Sequence, residues 1–330
     1  MDSIINLPLD DRRALFSETA NRRAMTEAVV EKDFWVCYVL QKLIESSTLD
    51  TELWFKGGTS LSKVFGLIDR FSEDIDLVLA WESLTDEDPF AERSNRKQER
   101  FLKTVRERAR THISEVILPE LQNRISGSCT AEVDQDDSQA IIVTYPRTFE
   151  SDYLRNEIKL EIGPVALSEP SSRYTIRPYA AEEFPDRFDS PECTPNVVCA
   201  ERTFWEKAVI LHQEAHRSPD NPQPPRYSRH FYDMMRLAQS DIKGKALSKR
   251  RLLDTIVDFN TKFYSRAWAR YDLAASPTFC LVPPEHVERS LRRDYDAMRE
   301  MIYGERPTFD EILEHLNSLE TEINTQEVAG

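Results

Sequence analysis

Several features that would assign a protein to other classes are scarce or missing in this 330-residue sequence. Its five cysteines are scattered and form no CxxC motif, which argues against a structural metal and favours a reducing compartment. No run of 18 apolar residues is present, so no membrane span is predicted. The opening MDSIINLPLDDRR has neither the basic segment nor the apolar core of a secretory signal. We therefore expect a cytoplasmic protein without a membrane partner.

Positive charge is also in deficit. The chain has 43 Lys and Arg against 58 Asp and Glu, a net charge of -15. This balance argues against a general nucleic-acid coat, whereas a local basic groove stays compatible with it because phosphate contacts depend on one face. The 40% hydrophobic content is ordinary for a globular chain, and the length allows two domains or one large one.

The most informative stretch is residues 51–80, TELWFKGGTSLSKVFGLIDRFSEDIDLVLA. TELWFK predicts a strand that Gly57 and Gly58 end. SLSKVFGLI then carries apolar residues at the i, i+3, i+4, i+7 spacing of a helix. IDLVLA predicts a buried second strand, and Asp74 and Asp76 project from one side of it because side chains alternate along a strand.

This order of elements favours phosphoryl transfer from a nucleotide. Backbone N–H groups at a glycine turn that opens a helix suit phosphate oxygens. Two carboxylates at i, i+2 suit one or two Mg²⁺ ions, which prefer oxygen ligands and assist transfer to a hydroxyl. Each part alone has a plainer explanation, because a lone Asp-x-Asp is usually a solvated strand start and a lone Gly-Gly a turn. The ordered set is what favours a functional site.

The same residues resemble a known family. GGTS followed by RFSEDIDL resembles the nucleotidyltransferases of the DNA polymerase β type, and more narrowly the AbiEii toxin family of type IV toxin–antitoxin systems. EKDFWV, IKLEIG, ERTFWEKAVILHQEAHR and RHFYDM extend the resemblance over most of the chain. It implies an α/β (α+β) fold whose polymerase β-type core has a mixed sheet. We expect N-terminal helices over 1–49, the nucleotidyltransferase core over 50–167 and a mainly helical domain over 168–330.

The resemblance also implies an activity. The expected reaction is Mg²⁺-dependent transfer of a nucleoside monophosphate from an NTP to an RNA acceptor, for some family members tRNA, whose 3′ end is the acceptor we expect. A toxin of this kind would block translation, act in phage defence and have a cognate antitoxin protein as a possible partner.

Site residues follow from the resemblance, position by position. The predicted metal ligands are Asp74, Asp76 and Glu161. The predicted nucleotide-binding residues are Lys56, Gly57, Gly58, Thr59, Ser60, Lys63, Ser72 and Arg229. The predicted catalytic residues are Asp74, Asp76, Lys207 and Asp233, with Lys207 offsetting triphosphate charge and Asp233 either positioning Lys207 or activating the acceptor hydroxyl.

Three of these assignments compete with a structural explanation. Glu161 lies in the alternating strand NEIKLEIG and could belong to an exposed sheet face. Lys207 could be an ordinary surface lysine. Arg229 and Asp233 are i, i+4 neighbours on a predicted helix and could form an ion pair.

A long helix is predicted from Ala91 to Leu118, with Pro119 at its end. Arg96, Arg100, Lys103 and Arg110 fall on one helical stripe, a notable cluster in so acidic a chain. The stripe could meet an RNA backbone, or it could be a solvated face partly neutralised by glutamates along the same helix.

Two other function classes stay open. Asp74 or Asp76 followed by Glu157 and Lys159 satisfies the loose D…ExK pattern of metal-dependent nucleases, although that pattern leaves the glycine turn unexplained. A catalytically silent protein that holds a nucleotide or a partner is the third class. A P-loop is excluded, because the residues after Gly57 lack the Lys-Ser/Thr step of that motif.

The remaining segments are mainly helical. Residues 8–48 predict two helices, and we interpret the second, with EKDFWV, as packing on the catalytic sheet. Residues 168–196 are rich in proline and predict an irregular domain junction. Further helices are predicted over 198–217, from residue 229, and over 248–264, 286–303 and 308–323.

Overall fold

The computed structural model describes residues 1–151 and 154–325. Its contacts divide the chain into two units. The first unit is Met1–Val64 with Phe71–Val198, and the second is Phe65–Arg70 with Cys199–Gly330. The three-part division at residues 49 and 167 stays a prediction.

The first unit contains a sheet and eight helices within the described residues. The helices are α1 (Asp2–Ile5), α2 (Leu9–Arg23), α3 (Glu27–Ile44), α4 (Ser47–Glu52), α5 (Gly57–Lys63), α6 (Asn95–His112), α7 (Leu118–Ile125) and α8 (Tyr179–Glu183). The strands are β1 (Leu53–Lys56), β2 (Ile75–Leu79), β3 (Thr130–Val133), β4 (Ala140–Thr144), β5 (Glu157–Gly163), β6 (Ser171–Arg173) and β7 (Asn196–Val198).

The seven strands lie in the order β3-β4-β5-β2-β1-β7-β6. At the centre, β2 runs antiparallel to β1 and parallel to β5, so the sheet is mixed, as predicted. Ile158, Leu160 and Ile162 of β5 are buried, which confirms the alternation predicted for that strand. The central strands therefore have one apolar face, and the intervening residues of β5 carry charge on the other.

Helix α3 is the central helix of this unit. Thr26 caps its N-terminus by accepting a hydrogen bond from the Val29 N–H. The helix packs against α2, α4, α7 and α8, and every residue from 29 to 43 is buried. Trp35 stacks on Tyr145, the residue that follows β4. The helix predicted to contain EKDFWV is thus confirmed and is buried, but its main contacts are with other helices, and its predicted packing on the catalytic sheet stays a prediction.

Three predicted boundaries in this unit are wrong. The helix predicted to end at Pro119 passes through a π-helical turn, Ile113–Ile117, into α7, because a proline in the first turn of a helix needs no N–H partner. The strand predicted from Thr51 starts at Leu53, since α4 occupies the preceding residues. The helix predicted over SLSKVFGLI begins at Gly57 and ends at Lys63. Residues 168–196, predicted to be irregular, also contain β6 and α8, and their role as a domain junction stays a prediction.

The second unit is helical in its described residues. Its helices are α9 (Ala200–Ala215), α10 (Ser228–Ala238), α11 (Ile242–Ser248), α12 (Arg251–Phe263), α13 (Glu285–Ala297) and α14 (Phe309–Thr325). Helix α9 packs against α10, α11 and α12, while α10 also packs against α13 and α14. The helices predicted for this region are confirmed, with ends shifted by a few residues.

Membrane insertion was not expected, and none of the helices in the described residues has the length and apolarity needed to cross a bilayer. All five cysteines are free thiols.

A histidine is buried as a neutral side chain in the second unit. Nδ1 of His212 accepts a hydrogen bond from the Cys280 N–H at 3.1 Å, so Nε2, 3.0 Å from the Arg270 carbonyl oxygen, must carry the proton. Burial lowers the pKa of His212 from its ordinary value of 6.5 to about 4. Protonation would place a second N–H against the Cys280 N–H.

Because the pKa of His212 is lowered in the folded protein, we expect the protein to lose stability in mild acid. The unfolded chain binds the proton near pH 6.5 and the folded chain only near pH 4. Neutral His212 therefore contributes fully to the free energy of unfolding above pH 6.5. This contribution, about 3 kcal/mol, is lost as the pH falls from 6.5 to 4. Urea unfolding between pH 7 and 4.5 measures this loss. His212→Gln should flatten the slope relative to wild type, whereas His315→Gln, at an exposed position of α14, should not. Equal slopes in wild type and His212→Gln would contradict the prediction.

Candidate active site

Three predicted site residues lie side by side on the central strands of the first unit. Asp76 of β2 is paired in register with Lys56 of β1 and with Glu161 of β5. Paired residues on neighbouring strands project from the same face of a sheet, so these three side chains share one face. Asp74, directly before β2, is half-buried like Asp76. The sheet thus brings two aspartates and a third carboxylate together at one end of its central strands.

Gly57 lies against the Asp76 carboxylate. A Cβ atom at this position would be 1.9 Å from Oδ2 of Asp76, far inside van der Waals contact. Its φ of +81° also lies in the left-handed region that side chains disfavour. Gly57 is therefore required twice, by its backbone conformation and by the carboxylate that occupies the space of a side chain.

The hydroxyl groups of this turn are bonded to backbone carbonyls. Thr59 Oγ1 donates to the Asp74 carbonyl at 2.5 Å, and Ser60 Oγ donates to the Gly57 carbonyl at 2.9 Å. Both side chains are buried, as is Gly58. The Thr59 bond fastens the first turn of α5 to the segment that carries Asp74, and the Ser60 bond closes that turn on itself. Phosphate binding by Thr59 and Ser60 stays a prediction.

Helix α3 braces the same segment with a buried charge. Lys32 is 1% exposed and forms an ion pair with Glu73 at 2.8 Å, and its ammonium also donates to the Arg155 carbonyl. Burial lowers the pKa of Lys32. Glu73 lies between Ser72, which is buried, and Asp74. The ion pair therefore fixes the chain immediately before the predicted metal ligands.

The residue after Lys32 holds the other end of α5. Asp33 forms a buried ion pair with Lys63 at 2.7 Å and accepts a hydrogen bond from the Tyr179 N–H. The Lys63 ammonium also lies 3.6 Å from the centroid of the Tyr179 ring. These contacts give Lys63 a structural role, and its assignment to a nucleotide stays a prediction.

The third carboxylate is shared with a lysine. Lys159 Nζ is 3.5 Å from Oε1 of Glu161 and 3.3 Å from Oδ2 of Asp134. Glu161 is exposed on the charged face of β5. Its place in register with Asp76 suits a metal ligand, while its lysine partner suits the ordinary sheet face that was the alternative.

The donor atoms at this edge fit a hard cation. Asp74, Asp76 and Glu161 offer carboxylate oxygens alone, the ligand type that Mg²⁺ prefers. Within residues 1–151 and 154–325, no three or more His, Cys, Asp or Glu side chains are already grouped as a metal site. The chemistry of the donors therefore fits Mg²⁺, and ligation by these three residues stays a prediction.

The remaining predicted catalytic residues meet in the second unit. Both oxygens of Asp233 are bound by Arg70, at 2.6 Å to Nε and 2.7 Å to a terminal nitrogen. Lys207 Nζ is 2.7 Å from Oδ2 of the same carboxylate. Asp233 is fully buried, and Arg70 and Lys207 are nearly so. His230 approaches Lys207, with its Nδ1 3.5 Å from Nζ.

The charges of this cluster set its protonation states. Burial alone would raise the pKa of Asp233, but Arg70 and Lys207 hold it far below its ordinary value. Burial lowers the pKa of Lys207, and the neighbouring Arg70 adds to that effect. Burial also keeps the pKa of His230 well below 6.5. Asp233 is therefore an ionised anchor, and its firmly held charge makes it a weak base.

Sequence reasoning missed Arg70 as a partner of Asp233. The alternative explanation for Asp233 was an ion pair with Arg229, four residues earlier, whereas its partners are Arg70 and Lys207. Arg70 begins the RFSEDIDL motif that carried the resemblance, so its presence in that motif was the available signal. The predicted residues thus form two clusters, one within each unit.

A family model described as "Nucleotidyl transferase AbiEii toxin, Type IV TA system" matches residues 38–315. No protein of curated function matches the chain.

The solved structures that are similar to this chain include two bacterial proteins. One is MenT4, a nucleotidyltransferase toxin from Mycobacterium tuberculosis H37Rv, with 19% identity and a TM-score of 0.54 over 96% of this chain and 90% of that one. At this identity the likeness concerns the fold alone, and it confirms the predicted fold class. The other, JHP933 from Helicobacter pylori, has 16% identity and a TM-score of 0.32 over 87% of this chain and 93% of that one, which is too low to support an argument.

Proposed function

Because this chain belongs to the AbiEii family of type IV nucleotidyltransferase toxins, we propose that it transfers a nucleoside monophosphate from an NTP to the 3′ end of an RNA. We propose tRNA as the acceptor, Mg²⁺ as the cofactor and a block of translation as the consequence.

The observation that carries the proposal is the close approach of Gly57 to Asp76. Side-chain atoms cannot occupy position 57 without displacing the Asp76 carboxylate. An acidic group held against a glycine turn suits the joint binding of a cation and a phosphate, because the cation neutralises the repulsion between the carboxylate and the phosphate oxygens. A purely structural turn would not need a carboxylate in that space.

The proposed reaction has a simple balance of bonds. The 3′ hydroxyl oxygen of the RNA forms a bond to the α-phosphorus, and the bond from that phosphorus to the oxygen bridging it to the β-phosphorus breaks. Pyrophosphate leaves with the electron pair, and the hydroxyl proton passes to a carboxylate of the site. Asp74 and Asp76 are the half-buried acids that we assign to this edge.

The same two aspartates would hold Mg²⁺, with Glu161 as a third ligand. When bound, the ion lowers the pKa of the attacking hydroxyl and stabilises negative charge on the leaving oxygen. Lys56 shares the face of Asp76 and is placed to offset phosphate charge. The Gly57–Ser60 turn and Ser72 complete the proposed nucleotide-binding residues of the first unit.

We assign a supporting role to the second cluster. Lys207 is the cation that stabilises the departing pyrophosphate, and Asp233 positions it through their 2.7 Å contact. Of the two roles open to Asp233, positioning fits better than activation of the acceptor, because both of its oxygens are bound. Arg229 is assigned to phosphate.

The family also implies partners. We propose a cognate antitoxin and a role in phage defence, and we propose the cytoplasm as the site of action, since NTPs and tRNA are found together there.

Incubation with each of the four labelled NTPs, Mg²⁺ and total RNA tests the function. We expect label to appear in RNA of tRNA size with one or more NTPs and to be lost when EDTA is added. Periodate oxidation of the RNA 3′ end should also abolish labelling. Labelled RNA that resists periodate would contradict the 3′ acceptor, and labelled protein would contradict RNA as the acceptor.

The two rival classes give different products. A nuclease would shorten the RNA, and Lys159→Ala should then remove activity. In the proposed transferase this substitution should have a small effect, because Lys159 is shared between Glu161 and Asp134, and Asp134 is not a predicted site residue. Nucleotide binding without labelling or cleavage would support the silent protein and contradict the transferase.

A further inference from the structure

Helix α6 carries a charge opposite to that of the protein as a whole. Its 18 residues contain seven Lys and Arg and two Glu, so the helix has a net charge of +5 in a chain of net charge -15. Such a concentration on one element is the electrostatic footprint of a polyanion-binding face.

The helix is fixed on its other side. Phe101, Leu102, Val105 and Ala109 are buried along one face. Near its C-terminus Arg108 donates to the Leu84 carbonyl. His112 lies 2.8 Å from the Glu52 carboxylate. These contacts decide which residues of α6 point to solvent.

Four cations on the outward side define what we call the α6 basic face: Arg96, Arg100, Lys103 and Arg110. All four side chains are exposed. Within the described part of the chain, the side chains of Arg96, Arg100 and Arg110 make no hydrogen bond or ion pair. Lys103 has one pair, with Glu107 at 3.9 Å between two exposed side chains, and such a pair contributes little. The solvated-face alternative, in which glutamates neutralise the stripe, therefore accounts for one cation of the four.

The spacing suits an extended polyanion. Positions 96, 100, 103 and 110 recur on one side of the helix and extend over about 21 Å of its axis. The aromatic ring of α6, Phe101, is buried, so the face offers charge without a surface on which bases could stack. Contacts of this kind bind phosphate groups and do not read sequence.

We propose that the α6 basic face binds the phosphate backbone of the RNA acceptor. The inference rests on the proposed function for the identity of the polyanion. It adds a docking surface made of residues outside the predicted catalytic and nucleotide-binding set, which would hold the RNA body independently of the NTP.

Charge reversal on this face tests the proposal. The variant Arg96→Glu, Arg100→Glu, Lys103→Glu is compared with a control of equal charge change, Arg251→Glu, Arg289→Glu, Arg293→Glu, at exposed positions of α12 and α13. The measurement is the Kd of the full chain for a purified tRNA, without NTP, from 50 to 200 mM salt. Thermal unfolding shows that both variants fold.

Loss of three phosphate contacts should lower the slope of log Kd against log salt by about 2–3. The wild-type protein should therefore lose about 20–40-fold more affinity over this salt range than the α6 variant does. At 50 mM salt the α6 variant should bind at least about tenfold more weakly than wild type. The control should keep the wild-type slope.

The outcomes separate this proposal from the proposed function. If wild type labels RNA but the α6 variant binds tRNA with the slope and Kd of the control, the docking surface is overturned and the transferase stands. If wild type labels no RNA with any NTP, yet loses tRNA binding on reversal of α6, the acceptor assignment fails and the surface stands. If wild type binds tRNA without salt dependence, the proposal that the α6 basic face binds RNA is also overturned. A protein partner would then be the occupant of this face.

Discussion

Asp76→Asn should reduce NMP transfer by about 10²–10³-fold or more, because it removes one negative charge from the proposed cation site. The substitution keeps the size of the side chain, and Asp76 is half-buried, so the fold should persist. Single-turnover transfer from labelled NTP to RNA measures the loss. The matched control is Asp86→Asn, at an exposed carboxylate in the loop that follows β2, which should leave the rate unchanged.

Alanine substitutions at two glycines, Gly57 and Gly127, test the role of the same Asp76 carboxylate. Gly57 and Gly127 have almost equal φ values, +81° and +84°, so alanine strains both backbones alike. A Cβ at Gly57 would collide with Asp76, whereas one at Gly127 would meet nothing within 4 Å. Both variants should lose about 1 kcal/mol of stability from the backbone. Only Gly57→Ala should also lose transfer activity.

Two results would contradict this account. Full transfer by Asp76→Asn would remove the carboxylate from the reaction. Equal activity of Gly57→Ala and Gly127→Ala would show that the contact between position 57 and Asp76 has no part in catalysis.

Local order in this protein could be predicted from its sequence. A strand, a helix that starts at the glycine pair and a second strand follow each other in the expected order as β1, α5 and β2. The helix predicted over SLSKVFGLI, however, begins earlier, at Gly57, and ends at Lys63, and Asp74 lies just before β2. Such elements depend on residues within a few positions of each other, and periodicity reports them directly. The same holds for α3 and α9, whose apolar spacing predicted buried helices.

Apart from the contact of Lys207 with Asp233, which the family resemblance suggested, side-chain pairings between distant residues were not predicted. Lys32 and Glu73 are 41 positions apart, and Arg70 and Asp233 are 163 apart. A charged residue in a helix usually faces water, and nothing local indicates that its partner arrives from another element. For Asp233, local reasoning offered only the i, i+4 neighbour Arg229 as a structural partner and did not consider the distant Arg70. The strands β6 and β7 were missed for a related reason. Each has only three residues, and its pairing with strands distant in the sequence is its main stabilisation.

Asp233→Asn should destabilise the second unit by about 3–5 kcal/mol, because it leaves Arg70 and Lys207 buried without their counter-charge. Arg70, Lys207 and Asp233 together carry a net charge of +1 and are buried. Asp233 is therefore the residue of the three whose loss should destabilise the fold most. Urea unfolding measures the change. Asp241→Asn, at an exposed carboxylate before α11, is the control and should have little effect on stability.

Lys207→Met should behave in the opposite way. Asp233 keeps both hydrogen bonds from Arg70, and the excess buried charge is removed, so stability should change by less than about 1 kcal/mol or rise. Transfer should nevertheless fall by about 10²–10³-fold if Lys207 stabilises the leaving group. If Lys207→Met unfolds the second unit as readily as Asp233→Asn, the lysine is structural. A catalytic lysine is expected to lower stability when it is buried and yet to be needed for transfer. The two variants together distinguish such a lysine from one that only pairs with Asp233.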